Sequence, residues 1–443
     1  MTSPDFPDFT IQRLGEPRIE SPIALGTMAD DGVADFVRDD QRVAYGIDIT
    51  LGQGPQALQD RGLLEKAGPR EHIYFDPSTV HAAIVTCGGL CPGLNNVIRA
   101  IVMTLWHRYG VRRISGVRYG YRGLLPEQQP FKELDLEAVS NIHRFGGTVL
   151  GSSRGGGERI EAMVDTLEQM NVSMLFTVGG DGTQRGALRI AEEAARRNRR
   201  IAVVGIPKTI DNDLSFVERS FGFETAVSRA VAAVQAAHVE AHDAIDGICI
   251  VKVMGRESGF IAAHTALATN DVNFVLLPEI PFDLEGDSGL LAHLEARIER
   301  RHHAVLVVAE GAGQHLVTGT GRDASGNKKL GDIGSHLRER IAKHFADKRR
   351  EVTLRYIDPS YIIRAAPANP TDAIYCARLG ANAVHAAMSG RTSCLVGLVN
   401  HRLVHVPIVL ACQHRNRVNP ESPLWRDVLE TTGQPRLTNV TRG

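Results

Sequence analysis

The sequence is short of aromatic residues, of net charge and of long apolar runs, and each shortage excludes a class of protein. Aromatic residues make up 5% of the 443 residues, too few for the stacking platforms of proteins that bind single-stranded nucleic acid. The 50 Lys and Arg residues are balanced by 51 Asp and Glu residues, so the chain has no basic footprint for nucleic acid or membrane surfaces. No apolar run approaches the roughly 18–20 residues of a membrane-spanning helix.

Targeting signals and disulfides are scarce as well. The first nine residues carry acidic side chains where a signal peptide has basic ones. The six cysteines are a low density that fits a reducing compartment. We therefore expect a soluble, cytoplasmic protein that binds neither nucleic acid nor membranes.

Two groups of residues resemble metal sites without completing one. Cys87 and Cys91 lie four residues apart, but no second pair at zinc-site spacing accompanies them. His238, Glu240 and His242 fall at i, i+2 and i+4 of a predicted helix. The metalloprotease arrangement needs Glu directly after the first His, so we interpret the three as a helix surface or a subunit contact.

What the chain does contain, from residue 80 onward, is a regular alternation of short apolar runs and helical stretches. Runs without polar alternation indicate strands buried on both faces, and their alternation with helices predicts parallel, doubly wound sheets. About 310 residues of this pattern exceed a single core, so we expect an α/β protein with two domains that face a cleft. The predicted strands are residues 82–87, 114–117, 174–178, 201–206, 248–253, 274–277, 304–309 and 395–399.

Two stretches depart from that alternation. Residues 1–78 lack a steady period and are predicted to be an N-terminal extension wrapped on the main body. Residues 319–329 form a long polar loop, which is either a solvated connection or a substrate lid.

Three glycine-rich segments have the chemistry of phosphate sites. Residues 86–96 follow a strand and open an amphipathic helix, which places free backbone N–H groups and a helix dipole at one point; a tight structural turn is the alternative. Residues 151–159 include Arg154, either a surface residue or a planar fork for phosphate oxygens. Residues 179–183 (GGDGT) place Asp181 after a strand, either as a ligand of Mg²⁺ or as a helix N-cap.

Residues 207–213 (PKTIDND) are the most specific segment of the chain. They pack two carboxylates, a hydroxyl and an ammonium into seven residues, and phosphoryl transfer needs such groups. In an extended backbone Asp211 and Asp213 point the same way, and one can accept the proton of a hydroxyl. The same residues are also ordinary turn formers.

Three further segments follow predicted strands or lie near a turn. Residues 254–260 (MGRESGF) separate a strand from a helix, and Glu310 follows the next strand. Residues 355–364 carry Arg355 and Arg364 near a turn, an arrangement that suits a sugar phosphate.

In order and approximate spacing, these seven segments resemble the phosphofructokinase family, over roughly residues 80–410. The chain is most similar to the long-chain ATP-dependent branch of plants, trypanosomatids and some bacteria, whose members also carry an N-terminal extension. The resemblance implies two Rossmann-like domains. Residues 79–222, completed by about 363–409, bind the nucleotide, residues 223–362 bind the sugar phosphate, and residues 410–443 form a C-terminal extension.

The resemblance also implies roles for individual residues. Asp211 is the base that takes the proton of the sugar's 1-hydroxyl, and Asp213 supports it. Thr209 and Arg256 hold the moving phosphoryl group, and Asp181 is the residue associated with Mg²⁺. The implied nucleotide-site residues are Gly88, Tyr121, Arg154, Asp181, Gly182, Thr183, Gly186 and Lys208. The implied sugar-phosphate-site residues are Thr209, Asp211, Asp213, Met254, Gly255, Arg256, Glu310, Arg355, Tyr361 and Arg364.

Four positions differ between branches of the family. Gly247 and Tyr361 stand where short bacterial enzymes have an arginine and a histidine for the sugar phosphate. Lys208 stands where those enzymes have glycine and pyrophosphate-dependent members have lysine. Gly182 favours ATP, because pyrophosphate-dependent members typically have aspartate there.

The function that the resemblance implies is transfer of the γ-phosphoryl group of ATP to fructose 6-phosphate in glycolysis, with Mg²⁺, by an allosteric homotetramer. A pyrophosphate-dependent enzyme is the nearest alternative. A lipid or NAD kinase would share only GGDGT, and residues 207–213 and 254–260 argue against it. A catalytically silent regulatory subunit would be expected to lose Asp181, Asp211 or Arg256, and all three are present.

Overall fold

The computed structural model describes residues 7–28, 31–48, 62–127, 131–317, 319, 321 and 329–439. They divide into two units. The first unit lies within Met1–Thr209, Leu214–Gly222 and Ala366–His414, and the second within Ile210–Asp213, Phe223–Ala365 and Arg415–Gly443. Most of the predicted polar loop at 319–329 lies outside the described residues.

The eight predicted strands are confirmed, each end within one residue of its prediction, because strands buried on both faces read as unbroken apolar runs. The strands are β1 (Gln12–Arg13), β2 (Ile19–Glu20), β3 (Arg42–Ala44), β4 (Leu63–Lys66), β5 (His72–Ile73), β6 (His81–Thr86), β7 (Arg113–Val117), β8 (Lys132–Glu133), β9 (Met174–Gly179), β10 (Ala202–Pro207), β11 (Gly247–Val253), β12 (Phe274–Leu276), β13 (His303–Ala309), β14 (Leu354–Ile357), β15 (Arg391–Thr392), β16 (Cys394–Val399) and β17 (Arg402–Pro407).

Helices connect most of the long strands, as expected for an α/β protein. The helices are α1 (Leu94–Thr104), α2 (Ile160–Gln169), α3 (Asp181–Arg196), α4 (Phe223–His242), α5 (Phe260–Thr269), α6 (Leu290–Arg301), α7 (Ile333–Asp347), α8 (Ser360–Ala365), α9 (Pro370–Met388), α10 (Ile408–Ala411) and α11 (Pro423–Thr432). In the described part of the chain, no helix has the length and apolar character needed to cross a membrane.

The first unit is built on a sheet that has nine strands in the described residues, in the order β3-β4-β17-β16-β10-β9-β6-β7-β8. Its central strands β16, β10, β9, β6 and β7 run parallel, and antiparallel strands flank them on both sides. Helices α1 and α9 pack against each other, and α3 packs on β9 and β10. The core of this unit therefore lies between a parallel sheet and helices, as in a doubly wound fold.

Two strands near the N-terminus, β3 and β4, are part of this sheet, in which β4 pairs antiparallel with β17. β1 pairs with β15 in a separate two-stranded sheet. The guanidinium of Arg391 is fully buried and binds the carboxylates of Asp39 and of Glu65, a residue of β4. Arg70 contacts the same two carboxylates, that of Glu65 at 3.1 Å and that of Asp39 at 2.8 Å. Ion pairs between segments far apart in sequence thus join Asp39, Glu65 and Arg70 to Arg391 within the first unit.

The second unit contains a four-stranded parallel sheet in the order β12-β13-β11-β14. Two buried apolar clusters involve this sheet, one that includes residues of α4 and α5 and one that includes residues of α6 and α7. C-terminal residues belong to this unit as well, because α11 packs on α5. Sequence patterns did not reveal β14, which carries Arg355 in a run with polar residues.

Candidate active site

The first unit brings three of the predicted phosphate-site segments to one edge of its sheet. Strands β6, β9 and β10 are parallel neighbours that end at Thr86, Gly179 and Pro207. The carboxyl ends of parallel strands form the edge at which α/β sheets bind ligands. The segments that follow these strands therefore begin side by side.

Gly88 and Lys208 meet at this edge. Gly88 has φ 86°, a left-handed conformation that favours glycine, and a Cβ built there would lie 3.1 Å from the Nζ of Lys208. Lys208 is buried, and its ammonium donates to the carbonyl of Gly89 at 2.6 Å. The Nη2 of Arg154 lies 3.8 Å from the Cβ position of Gly89. Two cationic groups thus border the glycine turn, which suits a phosphate group.

Helix α3 begins at Asp181, directly after the strand β9. The N-cap is Gly180, without a side-chain cap, so Asp181 is not the N-cap that was one of its two expected roles. Its carboxylate pairs with Arg185 one turn later. The first N–H groups of a helix have no partner within the helix and carry a partial positive charge. This helix start is therefore a second feature of the edge that favours anions.

The side chain of Tyr121 packs against the first turns of α3, at Thr183 and Gly186. The Tyr121 hydroxyl donates to the Thr183 carbonyl at 2.6 Å, and both side chains are buried. A Cβ on Gly186 would lie 2.5 Å from the Tyr121 ring, whereas a Cβ on Gly182 would meet no atom within 4 Å. Packing therefore requires glycine at 186 but not at 182.

The donor set at this edge fits Mg²⁺ that arrives with a phosphate ligand. In the described residues, no group of three His, Cys, Asp or Glu side chains could hold a metal ion. Mg²⁺ is commonly bound by one or two carboxylates together with substrate phosphates and water, without an all-protein cage. Asp181, beside the open space at Gly182, supplies such a carboxylate.

In the second unit, Asp211 and Asp213 lie on a turn. Of the two alternatives for this segment, an extended backbone and a turn, the structure has the turn, because Asn212 has φ 57°, a conformation that asparagine tolerates better than most residues. The backbone N–H of Arg256 lies 3.5 Å from a carboxylate oxygen of Asp211. The turn thus sets Asp211 against the loop that carries Arg256.

The electrostatic surroundings of Asp211 make it a strong candidate for a base. Burial raises the pKa of Asp211 well above its ordinary value, and the negative charges of Asp213 and Glu310 raise it further. The backbone N–H of Arg256 and the charge of Arg415 act in the opposite direction. A carboxyl group with a raised pKa near neutrality is a better proton acceptor than an ordinary aspartate.

The loop of Arg256 and the residue Glu310 follow neighbouring strands. Gly255 has φ 127°, and a Cβ there would lie 2.6 Å from the carbonyl oxygen of Ser258, so the tight turn needs glycine. The N–H of Gly311 donates to the Gly255 carbonyl at 3.0 Å. Burial raises the pKa of Glu310, while Arg256 and Arg364 lower it. Met254, Arg256, Glu310 and Arg364 are therefore near one another.

Three of the remaining predicted positions differ in their surroundings. Arg355 pairs with Glu240 of α4 at 3.6 Å, and among the described residues no hydrogen bond or ion pair joins it to Asp211, Arg256 or Glu310. Tyr361 is 81% exposed and lies under the guanidinium of Arg364, 5.0 Å from its ring centre. The carbonyl oxygen of Thr209, in the first unit, accepts a hydrogen bond from Ser220.

The glycine at 247 is a requirement of the backbone. A Cβ at this position would lie 2.1 Å from the carbonyl oxygen of Ala241. An arginine, as expected from short bacterial enzymes, cannot be accommodated here unless the backbone moves.

One residue beside the carboxylates was missed by the sequence reasoning. Arg415 lies 3.0 Å from Glu257 and 4.0 Å from Asp213. It stands in the predicted C-terminal extension, and no motif or periodicity there indicates a contact with residues some 200 positions earlier.

The two units carry groups that suit phosphoryl transfer. One unit has cationic groups, a glycine turn and a helix start, and the other has a carboxylate with a raised pKa beside an arginine loop. Comparison with known proteins agrees. The sequence matches the family model described as phosphofructokinase over residues 81–387. The chain belongs to the phosphofructokinase family.

The relatives come from bacteria, trypanosomatids and plants. An ATP-dependent 6-phosphofructokinase of Borreliella burgdorferi is 55% identical, over 97% of each chain. The enzyme of that name from Trypanosoma cruzi is 46% identical, over 96% of this chain and 87% of the relative. ATP-dependent 6-phosphofructokinase 7 of Arabidopsis thaliana is 46% identical, over 90% and 82%. The expected similarity to the plant and trypanosomatid branch is confirmed.

A solved structure shows the same fold at low sequence identity. The pyrophosphate-dependent phosphofructokinase of Marinobacter aquaeolei aligns with a TM-score of 0.65 and 21% identity, over 81% of this chain and 92% of that chain.

Proposed function

We propose that this protein is an ATP-dependent 6-phosphofructokinase, which transfers the γ-phosphoryl group of ATP to the 1-hydroxyl of fructose 6-phosphate and yields fructose 1,6-bisphosphate and ADP in glycolysis. The observation that carries the proposal is Asp211, a carboxylate with a raised pKa, set against the backbone of the Arg256 loop. The name shared by relatives of up to 55% identity supports ATP as donor and fructose 6-phosphate as acceptor.

Asp211 accepts the proton of the 1-hydroxyl, which makes the oxygen nucleophilic as the phosphoryl group is transferred. Asp213 keeps the pKa of Asp211 high by like-charge repulsion. Arg256 and Thr209 stabilise the negative charge on the phosphoryl group in the transition state.

The first unit holds the nucleotide. The turn at Gly88, the cations Lys208 and Arg154, and the start of α3 at Asp181–Thr183 bind the phosphates of ATP. Asp181 would hold Mg²⁺, which when bound neutralises the charge of the β- and γ-phosphates. Tyr121 and Gly186 keep the helix start in place.

The second unit holds the sugar phosphate. Met254, Gly255, Glu310 and Arg364 lie around the Arg256 loop, and Arg355 and Tyr361 complete the proposed set. Lys252, which pairs with Asp358 at 2.9 Å, adds a positive charge near Glu310. With Gly247 unable to carry a side chain, the phosphate of the sugar depends on arginines from other positions.

A pyrophosphate-dependent enzyme of the same sugar chemistry is the alternative that Lys208 leaves open. Lys208 is the residue that pyrophosphate-dependent members carry. Its hydrogen bond to the Gly89 carbonyl gives it a use that is independent of the donor. Gly182, with open space around its Cβ position, leaves room for a nucleotide.

The test is a fructose-6-phosphate assay run in parallel with ATP and with pyrophosphate at equal Mg²⁺. We expect turnover with ATP to exceed turnover with pyrophosphate. Faster turnover with pyrophosphate would favour the pyrophosphate-dependent enzyme over the ATP-dependent one. No turnover with either donor would favour a catalytically silent regulatory subunit.

Assembly and location are part of the same proposal. A cytoplasmic homotetramer under allosteric control is the arrangement that the family resemblance supports. Its size can be measured by light scattering of the purified protein.

A further inference from the structure

A short C-terminal segment, Arg415–Val418, is hydrogen-bonded both to the turn that carries Asp211 and Asp213 and to the loop that carries Arg256. The N–H of Asn416 donates to the backbone carbonyl of Asp213 at 2.9 Å, and the carbonyl of Asn416 accepts from the Ser258 hydroxyl at 2.6 Å. The N–H of Val418 donates to Glu279 at 2.8 Å. One residue thus bridges the carboxylate turn and the Arg256 loop.

The side chain of Arg415 adds a charge to this bridge. Its guanidinium lies 3.0 Å from Glu257 and 4.0 Å from Asp213, and about three quarters of it is buried. Among the groups near Asp211, the carboxylates of Asp213 and Glu310 raise its pKa, as burial does, and the Arg256 N–H and the charge of Arg415 lower it. Arg415 is therefore a cationic side chain that opposes two carboxylates around the base.

We propose that Arg415 is a positioning residue for phosphoryl transfer, which orients Asp213 and supplies a positive charge beside the carboxylate turn without contacting either substrate. The proposal rests on the proposed function and assigns a catalytic influence to a segment outside the family's recognised motifs. It explains why a partly buried arginine stands beside carboxylates that otherwise repel one another.

The same segment offers a matched control. Arg417 also pairs with Glu257, at 2.8 Å, but it is 59% exposed, and no ion pair of the described residues joins it to Asp213. A purely structural role for the segment predicts similar effects from truncation of either arginine. An electrostatic role predicts an effect from Arg415 alone.

The experiment compares Arg415→Ala, Arg415→Gln, Arg415→Lys and Arg417→Ala in the full chain, with kcat, both KM values and thermal stability measured from pH 6 to 9.5. Loss of the positive charge raises the pKa of Asp211, so the base stays protonated to higher pH. We expect Arg415→Ala and Arg415→Gln to lower kcat/KM at pH 7 by about threefold or more. The acidic limb of the profile should move upward by about half a pH unit or more.

Arg415→Lys should keep most of the wild-type activity, and the acidic limb of its pH profile should lie close to that of wild type. Arg417→Ala should match wild type in both. Equal losses from Arg415→Ala and Arg417→Ala, or a loss that is uniform across pH, would overturn the proposal. If Arg415→Ala does not fold, Arg415→Gln against Arg415→Lys decides the same question. A wild-type protein without fructose-6-phosphate kinase activity would instead refute the proposed function, so the two failures are distinct.

Discussion

Two buried carboxylates, Glu65 in the first unit and Asp211 in the second, have pKa values shifted in opposite directions. Burial raises the pKa of both. At Glu65 the charge and hydrogen bond of the buried Arg391 outweigh burial, and the net shift of the pKa is downward. At Asp211 the neighbours Asp213 and Glu310 add to burial, and the net shift is upward.

The difference separates a structural carboxylate from a reactive one. Glu65 is surrounded by cations that keep it charged, so it joins the N-terminal residues to the sheet and has no proton to exchange near neutrality. Asp211 lies near two carboxylates that make its charged form less stable, so uptake of a proton by Asp211 is more favourable than for an ordinary aspartate. Burial alone does not indicate function; the sign of the neighbouring charges does.

The largest effect is expected from Asp211→Asn, which removes the reactive carboxylate and keeps its shape. Loss of a general base costs on the order of 10²–10⁴-fold in kcat, while the KM values for both substrates should change little. Steady-state kinetics of the purified variant check this, with Asp287→Asn, an exposed carboxylate of the same unit, as control. A variant that keeps more than about a tenth of wild-type kcat would remove Asp211 from the role of base.

The next effect breaks the structural carboxylate's surroundings. Arg391→Met leaves the buried Glu65 and the partly exposed Asp39 with one cation fewer, and removal of one partner of a buried pair typically destabilises by about 3–5 kcal/mol. Chemical denaturation should show this loss, whereas Arg426→Met, in an exposed pair, should cost about 1 kcal/mol or less. Equal stability of the two variants would mean that the buried cluster contributes nothing.

Gly182→Asp would create like-charge crowding in the first unit, next to Asp181. Two carboxylates about 4 Å apart repel by roughly 1–4 kcal/mol at effective dielectric constants of 80 to 20, and the new side chain enters space that is open in the structure. We expect kcat/KM for ATP to fall by at least about tenfold, or about 1.4 kcal/mol, and that for pyrophosphate to fall less or rise.

Gly182→Ala is the matched control for that substitution. It adds a Cβ without charge at a position where no protein atom lies within 4 Å, so its folding should be normal, and its loss in kcat/KM for ATP should be smaller than that of Gly182→Asp. Losses of equal size from alanine and aspartate would assign the effect to volume instead of charge.

These contrasts also mark how far the sequence could be read. Parallel strands buried on both faces, such as β6 and β9, produce unbroken apolar runs, so their positions were predictable to within one residue. The motifs after them resemble a known family, so the glycine turn and Asp211 were predictable as well. The turn conformation at Asn212 was not, because Asp-Asn-Asp is compatible with both an extended and a left-handed backbone.

Contacts between distant segments lay beyond the sequence. The pairing of Glu65 with Arg391 joins residues 326 positions apart, and that of Arg415 with Asp213 joins the last part of the chain to its middle. A charged residue in a sequence is most often exposed, so nothing marks these as buried or paired. The packing of Tyr121 against Gly186 could not be predicted either, because it joins two separate segments and no motif links them.

The smallest effect concerns the stability of Asp211→Asn, whose sign tests the comparison directly. Because the folded-state pKa of Asp211 lies above its unfolded value, this group's contribution to stability is fully present below the unfolded pKa, near 4, and is lost as pH rises through the folded pKa. Asparagine does not titrate, so the variant should match wild type in mild acid and become the more stable protein toward pH 8–9. One pKa unit corresponds to about 1.4 kcal/mol, so a gain of about 1 kcal/mol is expected. Thermal melting across pH 5–9 measures it.

Glu65→Gln should show the opposite behaviour. The folded-state pKa of Glu65 is lowered, so the wild-type carboxylate stabilises the protein at every pH above its unfolded-state pKa, and the variant should melt at a lower temperature throughout that range. A loss of stability in both variants at pH 8 would mean that Asp211, like Glu65, is held by favourable contacts, and the distinction between the two carboxylates would fail.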